Sequence, residues 1–265
     1  MINFTLYKRE LKKSLLALLI CGAIITLYVS VIIGMYDPDM MASLDEWVDL
    51  MPQLMAAVGM TAGATSLLTF MSSYLYGFIL LVIPMVFLVF RSNSLVAKYV
   101  DNNSMVALVA APVKRRTIAF TQMKVLVTCI FILITFVSIL EITCATQFPD
   151  ALDIPKLLLL NLGLLCLHLF IGGICFFASC VFNETKYSLS IGAGIPALMY
   201  VLQALANTGD KAEHAKYFTF FTLFNPDSLI EGESSAILGI LLLFIGSIIL
   251  FFIAIEVFSR KDMHI

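Results

Sequence analysis

The chain has 265 residues, 61% of them hydrophobic and only 13% charged, with a mean hydropathy of +1.00 and a formal net charge of −2. A soluble domain of this size carries roughly 25% charged and 45–50% apolar residues, so this composition, laid out in long apolar runs, excludes an ordinary soluble fold and points to the membrane class. Six cysteines with no CxxC pair, and three histidines in unrelated contexts, argue for helix-packing thiols rather than a disulfide framework or a metal site.

Residues 1–14 place Phe4, Tyr7 and Leu11 at steps of three and four, with Leu15 next in the series, and Lys8, Arg9, Lys12 and Lys13 on the other faces. This pattern predicts a basic amphipathic helix at a membrane surface, which also orients the first span. Residues 15–34 form that span, long enough to cross about 30 Å of hydrocarbon. The run is too long for a signal peptide and no small-x-small cleavage site comes after it, so the helix is expected to be retained.

Residues 35–65 are acidic, with Asp37, Asp39, Asp45, Glu46 and Asp49 and no Lys or Arg. Leu44, Trp47, Val48, Met51, Leu54 and Met55 recur at helical spacing, predicting an interfacial helix that starts near Ser43, with Ser43 and Glu46 at capping-box spacing and Pro52 breaking it. Gly59 and Gly63 are spaced for close packing. Residues 66–90 are the second span, with a kink expected at Pro84.

Residues 91–124 form a basic interruption, with Arg91, Lys98, Lys114, Arg115, Arg116 and Lys124 against one acid, Asp101. Within it, residues 101–111 read as a short helix ended by Pro112. The third span is 125–145. The fourth, about 155–182, has a helix-start signal at Asp153 and Pro155. The fifth, 187–206, is expected to be broken at Gly192, Gly194 and Pro196. Residues 207–233 are polar and acid-rich with an aromatic cluster, and Ser228 and Glu231 have capping-box spacing. The sixth span is 234–258. The expected fold is therefore all-α, a single polytopic membrane domain of six transmembrane helices.

Six spans bring both termini to one side. That side carries thirteen Lys and Arg, the opposite side three (Lys156, Lys211, Lys216), while twelve acids lie in the three opposite-side loops. The positive-inside rule then puts both termini and residues 91–124 in the cytoplasm, with the protein in the cell membrane.

No GxxxxGK[ST], GxSxG, HExxH or paired-carboxylate pattern is present, so no catalytic residue, metal or cofactor site and no nucleotide site is expected in this chain. No nucleic-acid partner is expected. Intramembrane ionisable groups are Glu141, His168 and Glu256, each a candidate path or ion-handling group. The ordinary alternative for Glu141 and Glu256 is a carboxylate within a turn or two of an interface that reaches water, and for the deeper His168 an interhelical hydrogen bond. No internal repeat of the kind common in ion-driven carriers relates residues 1–124 to 125–265.

Tyr99-Val100-Asp101-Asn102-Asn103, the run Met105 to Ala111, the turn Pro112-Val113-Lys114-Arg115-Arg116 and Lys124 together resemble the first cytoplasmic loop of ABC-2-type transporter permeases. There an acidic residue opens a short helix, a Pro-Val-(Ser/Lys)-Arg-like turn closes it, and a Lys leads into the third span. The family's usual threonine-containing lead-in is here Asp-Asn-Asn-Ser. The layout of the rest of the chain is similar to that family over nearly its full length.

The resemblance implies a six-span half-transporter of an exporter for hydrophobic or amphipathic cargo such as a peptide, antimicrobial or lipid. It also implies a homodimer or a pairing with a paralogous permease, and two copies of a separate ATPase subunit that alone binds ATP and Mg. It makes the loop helix a coupling helix seated in that ATPase. Asp101 or Ser104 would cap it, Met105, Leu108 and Val109 would form an apolar face for the partner, and Pro112 would stop it. Lys114, Arg115 and Arg116 would meet acids of the partner or anionic membrane lipid. The alternative is a loop that only anchors the topology. Residues 207–233 would be re-entrant helices at the outer gate, with Phe218, Phe220, Phe221 and Phe224 as a dry plug or as interfacial aromatics. A reading from another class is a stand-alone ion-coupled carrier or channel using Glu141, His168 and Glu256.

Overall fold

A computed structural model describes residues 2–37, 48, 50–60, 66–110, 112–148, 152–209 and 213–261. All regular structure among these residues is helical. In chain order it comprises α1 (Phe4–Gly34), α2 (Pro52–Ala57), α3 (Leu67–Leu75), α4 (Ile79–Leu95), α5 (Ala97–Asp101) and α6 (Met105–Ala110). The long helices α7 (Arg115–Ala145), α8 (Ile154–Val181) and α9 (Thr185–Asn207) come next, then two 3₁₀ turns (Glu213–Phe218 and Phe220–Leu223), α10 (Pro226–Glu231) and α11 (Ser234–Arg260). Six segments, built on α1, α4 with α5, α7, α8, α9 and α11, are long and apolar enough to cross a membrane.

The first helix corrects the expectation of a separate surface helix over residues 1–14. Asn3 caps it, its Oδ1 accepting from the Leu6 N–H at 3.0 Å, and the helix then runs unbroken for 31 residues, about 46 Å. The basic stretch and the first span are one rod, with nothing between Lys13 and Leu15 to stop a helix.

The second span departs further. The predicted helix over 66–90 breaks at Tyr76 to Phe78, while Pro84, the expected kink position, lies inside α4. Gly77 is the reason. A Cβ there would strike the Val58 carbonyl oxygen and come within 2.9 Å of the Gly59 Cα, and Gly59 itself has φ +79°. Two backbones meet where neither could carry a side chain, and the Gly77 carbonyl freed by the break accepts from the Tyr200 hydroxyl at 3.2 Å. Gly63, Ser43, Leu44 and Trp47 lie outside the described residues. Met51 has left the helical region and Pro52 opens α2, as the restriction on residues before proline requires.

At its far end α4 runs past residue 90 to Leu95, and α7 begins at Arg115, so most of residues 91–124 is helix rather than loop. Ser179 closes the α4–α5 joint, accepting from the Ala97 N–H and donating to the Ser92 carbonyl, both at 2.9 Å.

The fifth span is also unbroken: α9 continues through Gly192, Gly194 and Pro196. Pro196 has no N–H for the carbonyl four residues back, that of Gly192. The Cys175 thiol supplies the missing donor at 3.2 Å. The expected start at Asp153 is present, its Oδ1 accepting from the Lys156 N–H at 3.2 Å. The cap of α10 is Asn225 rather than Ser228, whose own N–H is the group being capped, at 3.2 Å.

The bundle is centred on α8, which packs against α11, α9, α4 and α7. Of its most apolar stretch 72% is buried, against 11% for α9, which lies at the periphery. All six cysteines are free thiols, five of them buried in the helix packing, and no cluster of metal ligands exists among the described residues. Contacts between Asn3 and Thr121, and between Arg115 and Lys261, place the first and last described stretches at the same end of the bundle as α5 and α6.

Candidate functional site

Two buried polar clusters mark the two ends of the bundle. At the termini-bearing end Glu10 of α1 is fully buried. Arg91 Nη2 donates to its carbonyl at 2.7 Å and to its Oε2 at 3.3 Å, the Tyr99 hydroxyl donates to Oε1 at 2.6 Å, and Lys13 Nζ donates to Oε1 at 3.0 Å. Lys13 also donates to the Tyr99 oxygen at 2.6 Å and sits 5.1 Å above that ring. A buried carboxylate is tolerated only when its lone pairs are met by donors and cations, and here three side chains from α1, α4 and α5 do so. No motif singles out Glu10. The available signal was that it is the single acid among four cations in residues 1–14.

At the opposite end Glu141 of α7 is fully buried as well, which corrects the expectation that its carboxylate reaches interfacial water. Its Oε2 accepts from the Tyr76 hydroxyl at 3.0 Å and from Asn161 Nδ2 of α8 at 2.7 Å, while its Oε1 and the Asn161 Oδ1 are buried without a hydrogen bond. Tyr76 is the residue on which α3 ends. It also lines a cavity of about 300 Å³ together with Gly77, Tyr200, Gln203, Phe221 and Asp227.

The three ionisable groups predicted along the spans do not converge. His168 is held on α8 with Nδ1 2.9 Å from its own Leu164 carbonyl and Nε2 3.3 Å from the Leu81 carbonyl of α4, an interhelical anchor. Glu256 lies at the other end from Glu141, taking Arg260 at 2.6 Å and Arg116 at 3.7 Å.

The predicted loop helix is shorter than expected. Asp101 is the last residue of α5 and does not cap α6, and Asn103, at φ 58°, turns the chain between them. The Ser104 N–H donates to Asn102 Oδ1 at 3.1 Å. The α6 helix starts at Met105 and turns its apolar face inward: Met105 is 1% exposed, and Leu108 and Val109 are half-buried against the core. That face is therefore occupied within the chain. What faces outward is Asp101 to Ser104, Val106, Ala110 and Pro112. Lys114 and Arg116 are exposed, whereas Arg115 is half-buried and donates to the Lys261 carbonyl at 3.0 Å. The Lys261 ammonium, half-buried against the Cys180 carbonyl at 3.1 Å, is pulled below the usual lysine range by that burial.

The aromatic cluster before α11 divides. Phe218 is 72% exposed. Phe221 and Phe224 are buried and Phe220 half-buried, with Phe220 stacked on Phe221 at 4.7 Å and edge-on to Phe170 at 5.1 Å. Thr219 Oγ1 donates to the Met199 carbonyl, eight residues before the end of α9 and so about 12 Å along it. Leu229 and Phe224 close on Gly163, where a Cβ would lie 2.9 and 3.0 Å from them.

Six apolar spans, with buried polar clusters around Glu10 and Glu141, define a multi-pass helical membrane protein. No family model, curated protein or solved structure matches the chain.

Proposed function

We propose that the chain is the membrane-spanning permease subunit of an ATP-binding-cassette exporter, carrying hydrophobic or amphipathic cargo. A separate ATPase, in two copies, drives it, and a second copy of this chain or a paralogous permease completes the path. The observation that carries this reading is the seating of α6. Its inner face is fixed to the bundle by Met105, and it is joined through α5 to Tyr99, hence to Glu10 of α1 and Arg91 of α4. A push on its exposed edge would reach two spans at once. Along α4 the same motion arrives at the Gly77 break beside Tyr76 and Glu141.

In this reading both termini are cytoplasmic, in the cell membrane. Residues 213–231 are the re-entrant outer segment, with Phe220, Phe221 and Phe224 as its dry face. The chain itself hydrolyses no nucleotide and binds no metal or cofactor. Docking rests on the outward edge, Asp101 to Ser104 with Val106 and Ala110, and on Lys114 and Arg116 for acidic groups of the partner.

The test is co-purification with a P-loop ATPase encoded in the neighbouring reading frame, together with transport in proteoliposomes. Val106→Asp combined with Ala110→Asp should lose the ATPase while the permease folds. Full retention of partner and transport would overturn the docking assignment. The ion-coupled carrier remains the second reading because the Glu141 Oε1 is buried with no hydrogen bond. Transport by the purified chain alone would favour it.

A further inference from the structure

Between α1 and α4 runs a groove of about 630 Å³ whose two ends differ in kind. Its long part is lined by Ile20, Ile24, Val86 and Phe90, all between 42% and 63% exposed. Its end nearest the chain termini is lined by Lys13, Arg91, Asn93 and Lys98.

Three cations meet there. Glu10 answers Lys13 and Arg91 from within the bundle. Asp101 comes one turn after Lys98 in the chain and is exposed to solvent. Asn93 is 6% exposed and its Oδ1 has no hydrogen bond, and the Arg91 Nε is also buried unpaired. Unmet polar groups at the head of an apolar groove are costly unless a ligand meets them. From Lys13 to Ile24 the groove follows eleven residues of α1, about 16 Å, close to the roughly 15 Å depth of one hydrocarbon leaflet.

We propose that this groove binds one anionic phospholipid from the leaflet at the termini-bearing end. Its phosphate sits between Lys13 and Lys98, and one acyl chain lies over Ile20, Ile24, Val86 and Phe90. Asn93 turns its amide about the soft terminal torsion to accept a headgroup hydroxyl. The match is to a headgroup that carries net negative charge and a hydroxyl, as phosphatidylglycerol does. The proposal requires only that the chain spans a membrane, so its failure leaves the permease reading untouched.

The experiment is native mass spectrometry and thermal unfolding of the full chain in detergent, titrated with phosphatidylglycerol or with phosphatidylcholine of the same acyl chains. One phosphatidylglycerol per chain should survive detergent that strips phosphatidylcholine, and Tm should rise only with the anionic lipid. Lys98→Gln should weaken phosphatidylglycerol binding roughly fivefold, the loss of one cation near an anionic headgroup. Ile24→Trp, which fills the groove, should remove bound lipid of either kind. Lys98 is exposed, so its variant still decides the matter if Ile24→Trp misfolds. Equal retention of the two lipids, or unchanged affinity in Lys98→Gln, overturns the proposal. So does an Ala17→Cys crosslink between two chains showing that a second copy fills the groove.

Discussion

Arg91 donates through one nitrogen to both the backbone carbonyl and the carboxylate of Glu10, a residue 81 positions earlier. This contact ties the first span to the second at the end of the bundle where α6 sits. It also stiffens the stretch that any partner at that end would have to move.

Breaking this pair should be costly. Arg91→Met removes the buried cation of Glu10 and leaves its carboxylate with only Lys13 and Tyr99, a loss of about 1.5–3 kcal/mol for a hydrogen bond to a charged group. Glu10→Gln added to Arg91→Met should recover most of that loss, because no buried carboxylate remains. Thermal unfolding of the three variants in detergent measures it, and an Arg91→Met protein as stable as the parent would show the pair to be incidental.

At the other end shape should matter more than charge. Glu141→Gln keeps an oxygen to accept from Tyr76 and Asn161 and should change stability by less than about 1 kcal/mol. Glu141→Ala strands both donors in the interior at about 1–3 kcal/mol each. Denaturation midpoints should therefore fall only for the alanine variant. If Glu141→Gln also abolishes transport by the isolated chain, the ion-coupled reading gains.

Glycine contacts separate backbone from side-chain limits. A Cβ at Gly239 would strike the Leu223 carbonyl oxygen, whereas at Gly246 it would meet the edge of the Phe170 ring at 2.7 Å. A carbonyl inside a packed segment has little room to move, while a ring can turn. Gly239→Ala should cost roughly 1–3 kcal/mol and expose residues 219–224 to a cysteine reagent once a cysteine is placed among them, while Gly246→Ala should be nearly neutral.

The two faces of α6 should behave oppositely. Met105→Asp buries a charge and should lower yield and Tm of the permease by itself. Val106→Asp should leave the unfolding temperature within experimental error and act only on recovery of the ATPase. Measuring both properties on both variants distinguishes a docking edge from a structural prop.

Much of the architecture was legible in the sequence. The ends of the spans agree with the helices to within a few residues for 155–182, 187–206 and 234–258. A run of apolar residues about 20 long has few alternatives once its length matches the hydrocarbon, and caps such as Asp153 act on neighbours three residues away. The helix breaks were not legible. Gly192, Gly194 and Pro196 carry the strong local signal, yet α9 runs through all three because a thiol of α8 replaces the missing donor. The break falls at Gly77, where the governing fact is the approach of another backbone at Gly59.

The candidate sites divide in the same way. Glu141 and His168 stand out as ionisable groups in apolar runs, but their partners Tyr76, Asn161 and Leu81 come from other spans. Glu256 looks similar in sequence and proves to be an ion-pair partner of Arg116 and Arg260. The spacing of Met105, Leu108 and Val109 shows that α6 has an apolar face. It does not show whether that face meets another protein or this one.

By itself, then, the sequence determined that the chain is a helical multi-pass membrane protein with its basic segments gathered at one end. Hydrophobic run length and charge asymmetry are one-dimensional quantities, set by water and lipid rather than by neighbours. Only the tertiary structure decided which charges are buried, which glycines touch and which face of α6 is free. Each of these depends on contacts between residues distant in the chain, such as Glu10 with Arg91, that no local pattern encodes.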